Sequence, residues 1–250
     1  MELRSGQIHE RLGAVLEPVH DELVEKLAPG SGERWLDVGC GTGSVAMRAA
    51  RAGAEVTAIE PTEPLLEQAR ENAARAGLTI TFDHGPVEYL TYEDGAFDVI
   101  ASAFGFVYVP DHANVAGELA RVARQGARLG FTAWKPNPKV GELYRRFTEE
   151  PLEGREATEW GREDHVEDML GEDFELEFVD GTLWIDAGSG EELWDLFSRT
   201  SPPVVALLQK LDAERGEAFH QAFVELYESY REGDRIRAPR RYLLTLGTRR

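Results

Sequence analysis

Residues 35–43, Trp-Leu-Asp-Val-Gly-Cys-Gly-Thr-Gly (WLDVGCGTG), decide how the rest of the chain is read. An apolar run from Arg34 to Val38 has the look of a strand buried on both faces. It runs into glycines at alternate positions, Gly39, Gly41 and Gly43, and then into helical spacing from Ser44. Glycine adopts positive φ without strain and carries no Cβ, so a ligand can lie against bare backbone while helix-start amides face its anionic end. The turn is therefore expected to hold a small molecule.

Outward from this turn, short apolar runs alternate with amphipathic ones. Strands are predicted at Arg34 to Val38, Glu55 to Ile59, Ile80 to Asp83, Phe97 to Ala101 and Ala127 to Ala133. Helices are predicted at Ser44 to Arg51, Pro64 to Ala76 and Ala113 to Ala123, with Pro64 in a first turn and Gly77 just past an end. Such alternation predicts an α/β fold, a mostly parallel sheet with helices on both faces. Ligands of these sheets bind at the carboxyl ends of the strands. Before the core, Gln7 to Leu27 has helical spacing interrupted by Pro18. After Trp134 the rhythm changes. A polar, proline-marked stretch leads to a short helix near Arg162 to Leu170 and a strand near Phe174 to Ile185. Helices follow at Glu191 to Ser198, Val204 to Glu214 and Glu217 to Tyr230, then a closing strand at Tyr242 to Gly247. The apolar stripe Phe219, Phe223, Leu226, Tyr227, Tyr230 is expected to be a packing face. One domain over 1–250 is expected, with a ligand-binding core at 28–134 and helical cap elaborations at 135–163 and 186–238.

The formal charge of −19 argues against a nucleic acid partner, because such binding rests on Lys and Arg displacing condensed counterions. Cys40 is the single cysteine and has no intrachain partner. No basic segment followed by an apolar run opens the sequence, and no window reaches the roughly 18 apolar residues of a membrane span. A cytoplasmic location is expected. The six histidines are scattered without metal-ligand spacing, so no metal is expected.

Which ligand the turn holds depends on Asp37. A glycine turn followed about 20 residues later by an acid, Glu60, also suits a dinucleotide, whose ribose hydroxyls would meet that acid. Asp37, however, is expected to face the turn, where a pyrophosphate would bring like charge against it. S-adenosylmethionine has no phosphate and carries an ammonium, which favours an acid there.

WLDVGCGTG resembles the first motif of class I S-adenosylmethionine-dependent methyltransferases, and AIEPTEPLLEQARENA from Ala58 resembles the second. FDHGPVEYL from Phe82 is similar to the segment beside the adenine. DGAFDVIASAFGFVYVPD from Asp94 and ELARVARQGARLGFTAW from Glu118 resemble strands four and five with their flanks. The stretch from FGFVYVPD onward, with the closing RAPRRYLLTLGTRR, looks most like bacterial small-molecule enzymes related to ubiquinone and menaquinone methylation. The resemblance implies a Rossmann-like, seven-stranded, mostly parallel sheet with an antiparallel last strand. It also implies S-adenosyl-L-methionine as cofactor, S-adenosyl-L-homocysteine as product, and a small-molecule O, N or C nucleophile as methyl acceptor, in a monomer or homodimer.

On that resemblance, the cofactor side comprises Asp37, Gly39, Cys40, Gly41, Glu60 (ribose), Pro61, Leu65, Gly85, Pro86, Val87 and Ser102. Phe104, Phe106, Tyr108 and Trp134 follow strands four and five, where the transferred methyl is expected to point, with core packing and substrate contact both open for each. Pro86 departs from the family, in which an acid commonly receives the adenine amine. No catalytic base is apparent, and Cys40 and Ser102 are not expected as nucleophiles. His112 is expected to cap a helix or lie at the surface. A nicotinamide-dependent oxidoreductase and a non-catalytic cofactor-binding regulator stay open as alternatives; binding of NAD against S-adenosylhomocysteine separates the first, and a panel of acceptors the second.

Overall fold

The computed structural model describes residues 5–148 and 156–250. In chain order the elements begin α1 (Ser5–Leu27), β1 (Arg34–Val38), α2 (Ser44–Arg51), β2 (Glu55–Glu60), α3 (Glu63–Arg75), β3 (Thr81–His84), β4 (Phe97–Ala103), α4 (His112–Val122) and β5 (Ala123–Trp134). They continue with α5 (Pro138–Arg145), α6 (Glu156–Glu159), α7 (Glu163–Leu170), β6 (Phe174–Ala187), α8 (Gly190–Thr200), α9 (Pro202–Lys210), α10 (Ala213–Glu228), β7 (Arg231–Glu232) and β8 (Arg235–Arg249). One sheet runs β3-β2-β1-β4-β5-β8-β6, with the two-residue β7 paired to β8 alone. The pairs β1–β2, β1–β4, β2–β3 and β4–β5 are parallel, and β5–β8 is antiparallel. This is the Rossmann-like arrangement expected, seven strands on the main path and an antiparallel last strand.

The described residues divide into two compact units, 17–135, 156–181 and 242–250 in one, and 5–16, 136–148 and 182–241 in the other. In the first, β1 is buried at every position after Arg34, as a central parallel strand must be. Side chains alternate along β5, so Gly130, Thr132 and Trp134 share one face and Leu129, Phe131 and Ala133 the other. α1 lies on the first face: a Cβ at Gly130 would stand 2.9 Å from the Leu27 side chain. α1 also runs through Pro18 as one helix, its missing bond offset by burial of Val19, Leu23 and Leu27. On the opposite face Phe131 packs with Phe106 and with Trp160, which follows α6, while α4 and α7 meet through His112 and His165.

In the second unit, Leu143, Ile185, Phe197, Phe219, Phe223, Tyr227 and Ile236 form part of one buried cluster. The aromatic stripe of α10 is thus a packing face, with Tyr230 at its end under the Lys139 ammonium. The helix expected at Val204 to Glu214 ends earlier, at Lys210. Asp212 is the reason: its carboxylate accepts from the Arg215 amide and starts α10.

His20, on α1, is 7 % exposed, and burial together with the Arg48 guanidinium lowers its pKa to about 4. The unfolded chain therefore takes up a proton that the native state refuses, and stability is lost as pH falls from about 6.5 toward 4. His20→Leu should flatten that loss, so its melting temperature relative to the parent should rise steadily as pH is lowered across this window.

Candidate functional site

The glycine turn is held by backbone alone at its start. The amides of Gly39 and Cys40 both donate to the Ile59 carbonyl of β2, at 2.9 and 3.0 Å. Gly39, Gly41 and Gly43 have φ of 66°, 54° and 83°, in the left-handed region where other residues are strained. Their surroundings differ. A Cβ at Gly43 would press on Ala69 of α3 at 3.3 Å, whereas one at Gly41 would meet no protein atom within 4 Å. Gly41 thus faces open space, the cradle a ligand lying on bare backbone requires. From α3, the Asn72 amide donates to the Thr42 carbonyl at 3.0 Å and pins the outer side of the turn.

Glu60 closes β2 and is 5 % exposed. Its Oε2 accepts from the Gly41 amide at 2.9 Å, and its Oε1 from the Thr62 amide at 3.0 Å. A carboxylate has about four lone-pair sites, so roughly two stay available in an orientation already set. Beside it, His84 shares a hydrogen bond with the carbonyl of exposed Pro61, and the Gly85 amide donates to the Glu60 carbonyl at 3.3 Å. Leu65 is half-buried, Pro86 exposed and Val87 buried. Asp83, in β3, accepts from the Tyr92 hydroxyl at 2.8 Å.

Asp37 stands one residue before the end of β1. Its carboxylate, 1 % exposed, reaches α2, where Oδ2 accepts from the Ala46 amide at 2.9 Å. The N-cap of α2 is Gly43, which has no side chain to offer, so Asp37 satisfies an orphan amide from a distance. Burial, opposed by that amide and assisted by the nearby Glu60 charge, raises its pKa to about 7. Cys40 is buried as well, and burial with the Asp37 and Glu60 charges pushes its thiol upward, which removes thiolate nucleophilicity at neutral pH.

The exit of β4 meets this turn. Ser102 lies within β4, and its hydroxyl is fully engaged: it donates to the Val38 carbonyl at 2.7 Å and accepts from the Gly105 amide at 3.2 Å. Gly105 packs directly on the backbone of Val38 and Gly39; a Cβ at Gly39 would stand 2.6 Å from Gly105 Cα, and one at Gly105 would stand 2.7 Å from the Gly39 carbonyl. Phe104 is held at φ 57° and stacks on Trp134, centroids 3.9 Å apart and planes within 11°. Phe104 and Trp134 therefore come together as expected. Phe106 does not join them: it is fully buried on the other face against Phe131 and Trp160, a core position. Tyr108 is exposed.

Two pairs went unread in the sequence. His112 is buried rather than capping, since Asp111 supplies the α4 cap, and its Nδ1 lies 2.9 Å from His165 Nε2. The Tyr242 hydroxyl donates to Glu22, 220 residues away. Among the described residues no group of at least 3 His, Cys, Asp and Glu could hold a metal.

Two outcomes follow from this geometry. Gly105→Ala must displace the backbone of Val38 and Gly39, a cost of about 1–3 kcal/mol, and should lower the melting temperature by several degrees. Asp37 binds a proton in the native state between about pH 4 and about 7 that the unfolded chain has released, so stability falls as pH rises through that window. Asp37→Asn keeps the acceptor for Ala46 and removes the slope; its melting temperature relative to the parent should increase from pH 4 to pH 7.

A methyltransferase-domain family model matches residues 36–126, the segment from β1 into β5 that contains the turn, Glu60 and Gly105. An uncharacterized protein of Mycobacterium tuberculosis is 33 % identical over 233 residues, spanning 90 % of this chain and 83 % of that one. The ubiquinone biosynthesis O-methyltransferase of Hahella chejuensis is 34 % identical over 125 residues, 50 % of this chain and 52 % of that enzyme. Among solved structures, a putative methyltransferase of Bacillus halodurans superposes with a TM-score of 0.66 at 19 % identity, over 92 % of this chain and 97 % of that one. No described helix is long and apolar enough to cross a membrane. With its strand order and glycine turn in family positions, the chain belongs to the class I S-adenosylmethionine-dependent methyltransferases.

Proposed function

We infer that this enzyme transfers a methyl group from S-adenosylmethionine to an O, N or C nucleophile of a small molecule. The observation that carries the donor side is the pre-set Glu60 carboxylate, held by the Gly41 and Thr62 amides beside a turn whose Gly41 faces open space. Glu60 and the backbone of Gly39 to Gly41 would hold the ribose and methionine portions, with Asp37 beside them. Cys40, Pro61, Leu65, Gly85, Pro86, Val87 and the Ser102 backbone would complete the cofactor side. When bound, the cofactor supplies a methyl group activated by its sulfonium.

Asp37 supports the choice of donor in a modified way. A buried carboxylate with pKa raised to about 7 loses its proton more readily when a cation is near and less readily beside a pyrophosphate. Its site thus favours an ammonium-bearing ligand even though one oxygen serves α2. Phe104 and Trp134 form the aromatic wall at the carboxyl ends of β4 and β5, where the acceptor would be aligned and water kept out. The segments 135–163 and 186–238 lie outside the family match.

Calorimetry with S-adenosylhomocysteine tests the donor. The parent should bind it, and Glu60→Ala should weaken binding by about 1.5–3 kcal/mol, the loss associated with hydrogen bonds to a charged acceptor. Binding of NAD with no binding of S-adenosylhomocysteine would sink the reading. Incubation with S-adenosylmethionine and a panel of phenols, quinols, amines and carboxylates should yield S-adenosylhomocysteine with at least one of them.

A further inference from the structure

On the wall formed by Phe104 and Trp134 stands a third aromatic residue that the donor site does not use. Tyr242 pairs directly with Trp134 across β5 and β8, so both side chains leave the sheet on one face. Its ring meets Phe104 edge to face, centroids 6.3 Å apart at 82°. The next residue after Phe104 is Gly105, which lies on the backbone of the glycine turn. Tyr242 is thus one stacked ring and one peptide away from the cofactor cradle.

Three contacts fix its hydroxyl. The ring lies over Gly181 of β6, where any Cβ would collide with it. Phe104 limits its tilt, and the hydroxyl donates to Glu22 of α1. Burial and the Glu22 carboxylate hold this tyrosine above its usual range, so it keeps its proton and commits it to Glu22. A phenolic oxygen with its only hydrogen so engaged presents lone pairs alone to a further partner. It can accept a hydrogen bond and cannot donate one.

The same face of β5 holds a buried polar atom with no hydrogen-bond partner among the described residues. It is Oγ1 of Thr132, 1 % exposed and on the face of Trp134. Buried polar atoms of this kind are ordinarily satisfied by water or a bound molecule.

We propose that Tyr242, held by Glu22, is the proton-accepting group for the methyl acceptor, and that the acceptor is a protic nucleophile bearing O–H or N–H. The proposal rests on the methyl-transfer reading above. The X–H bond of the acceptor breaks as an O–H bond forms at Tyr242, and the proton formerly on Tyr242 passes to the Glu22 carboxylate, which becomes neutral. The electron pair left on X forms the bond to the methyl carbon as the carbon–sulfur bond breaks and its electrons remain on sulfur. Charge and atoms balance without another reactant. Tyr242 is the catalytic residue in this scheme, and Glu22 and Gly181 are positioning residues.

The test compares phenol with its methyl ether, anisole, both titrated into the protein saturated with S-adenosylhomocysteine. The phenol should bind about tenfold or more tightly than the ether, the worth of roughly one hydrogen bond. Tyr242→Phe should bring the phenol down to the ether's affinity. Gly181→Ala, which moves the ring without altering its chemistry, should do the same, while both variants bind S-adenosylhomocysteine within about twofold of the parent. Equal affinity for phenol and ether in the parent, or binding of neither, overturns the proposal. So does a Tyr242→Phe protein that keeps the discrimination, or one that loses S-adenosylhomocysteine as strongly as the phenol. Failure of the parent itself to bind S-adenosylhomocysteine overturns instead the donor assignment.

Discussion

Two chain reversals, one after β1 and one after β4, meet backbone to backbone at Gly39 and Gly105, and the site depends on that meeting. Neither position leaves room for a side chain. The contact brings the glycine turn and the start of the aromatic wall into direct backbone contact. Ser102 locks it by bonding both partners, donating to the Val38 carbonyl and accepting from the Gly105 amide. Phe104 takes a left-handed conformation because its neighbours on either side are fixed: its amide donates to the Thr132 carbonyl, and the residue after it lies on the turn. Such conformations cost about 1–3 kcal/mol and persist only where the surroundings over-determine them.

The opposite edge of the donor site is braced by a different device. Arg121 of α4 donates to the carbonyls of Leu90 and Tyr92 and to the carboxylates of Glu118 and Asp94. Glu118 in turn accepts from the Leu90 amide at 2.7 Å, and Asn114 donates to the Glu88 carbonyl at 2.5 Å. The loop after β3 has no regular structure to hold it, so α4 supplies the hydrogen bonds that a ladder would have supplied.

Much of this was legible because it is written locally. The step from an apolar pentapeptide to alternating glycines, the acid closing β2 and the strand–helix alternation all depend on neighbours within a few residues. Asp37 was legible as a buried acid beside the turn, but its partner, the Ala46 amide, comes from α2, whose N-cap Gly43 has no side chain. Phe104 and Phe106 look alike in sequence and differ in structure because two residues along an extended exit do not guarantee one face once a residue turns left-handed between strand and loop. His112 with His165, and Tyr242 with Glu22, require knowledge of which helices and strands are neighbours. No periodicity encodes a hydrogen bond between residues 22 and 242.

Cys40, the chain's single cysteine, lies in the glycine turn with its thiol turned toward the Gly41 carbonyl and shielded from solvent. Burial keeps it in the protonated form, which neither oxidants nor electrophiles attack readily. In the folded protein the turn therefore carries a sulfur that thiol reagents reach slowly.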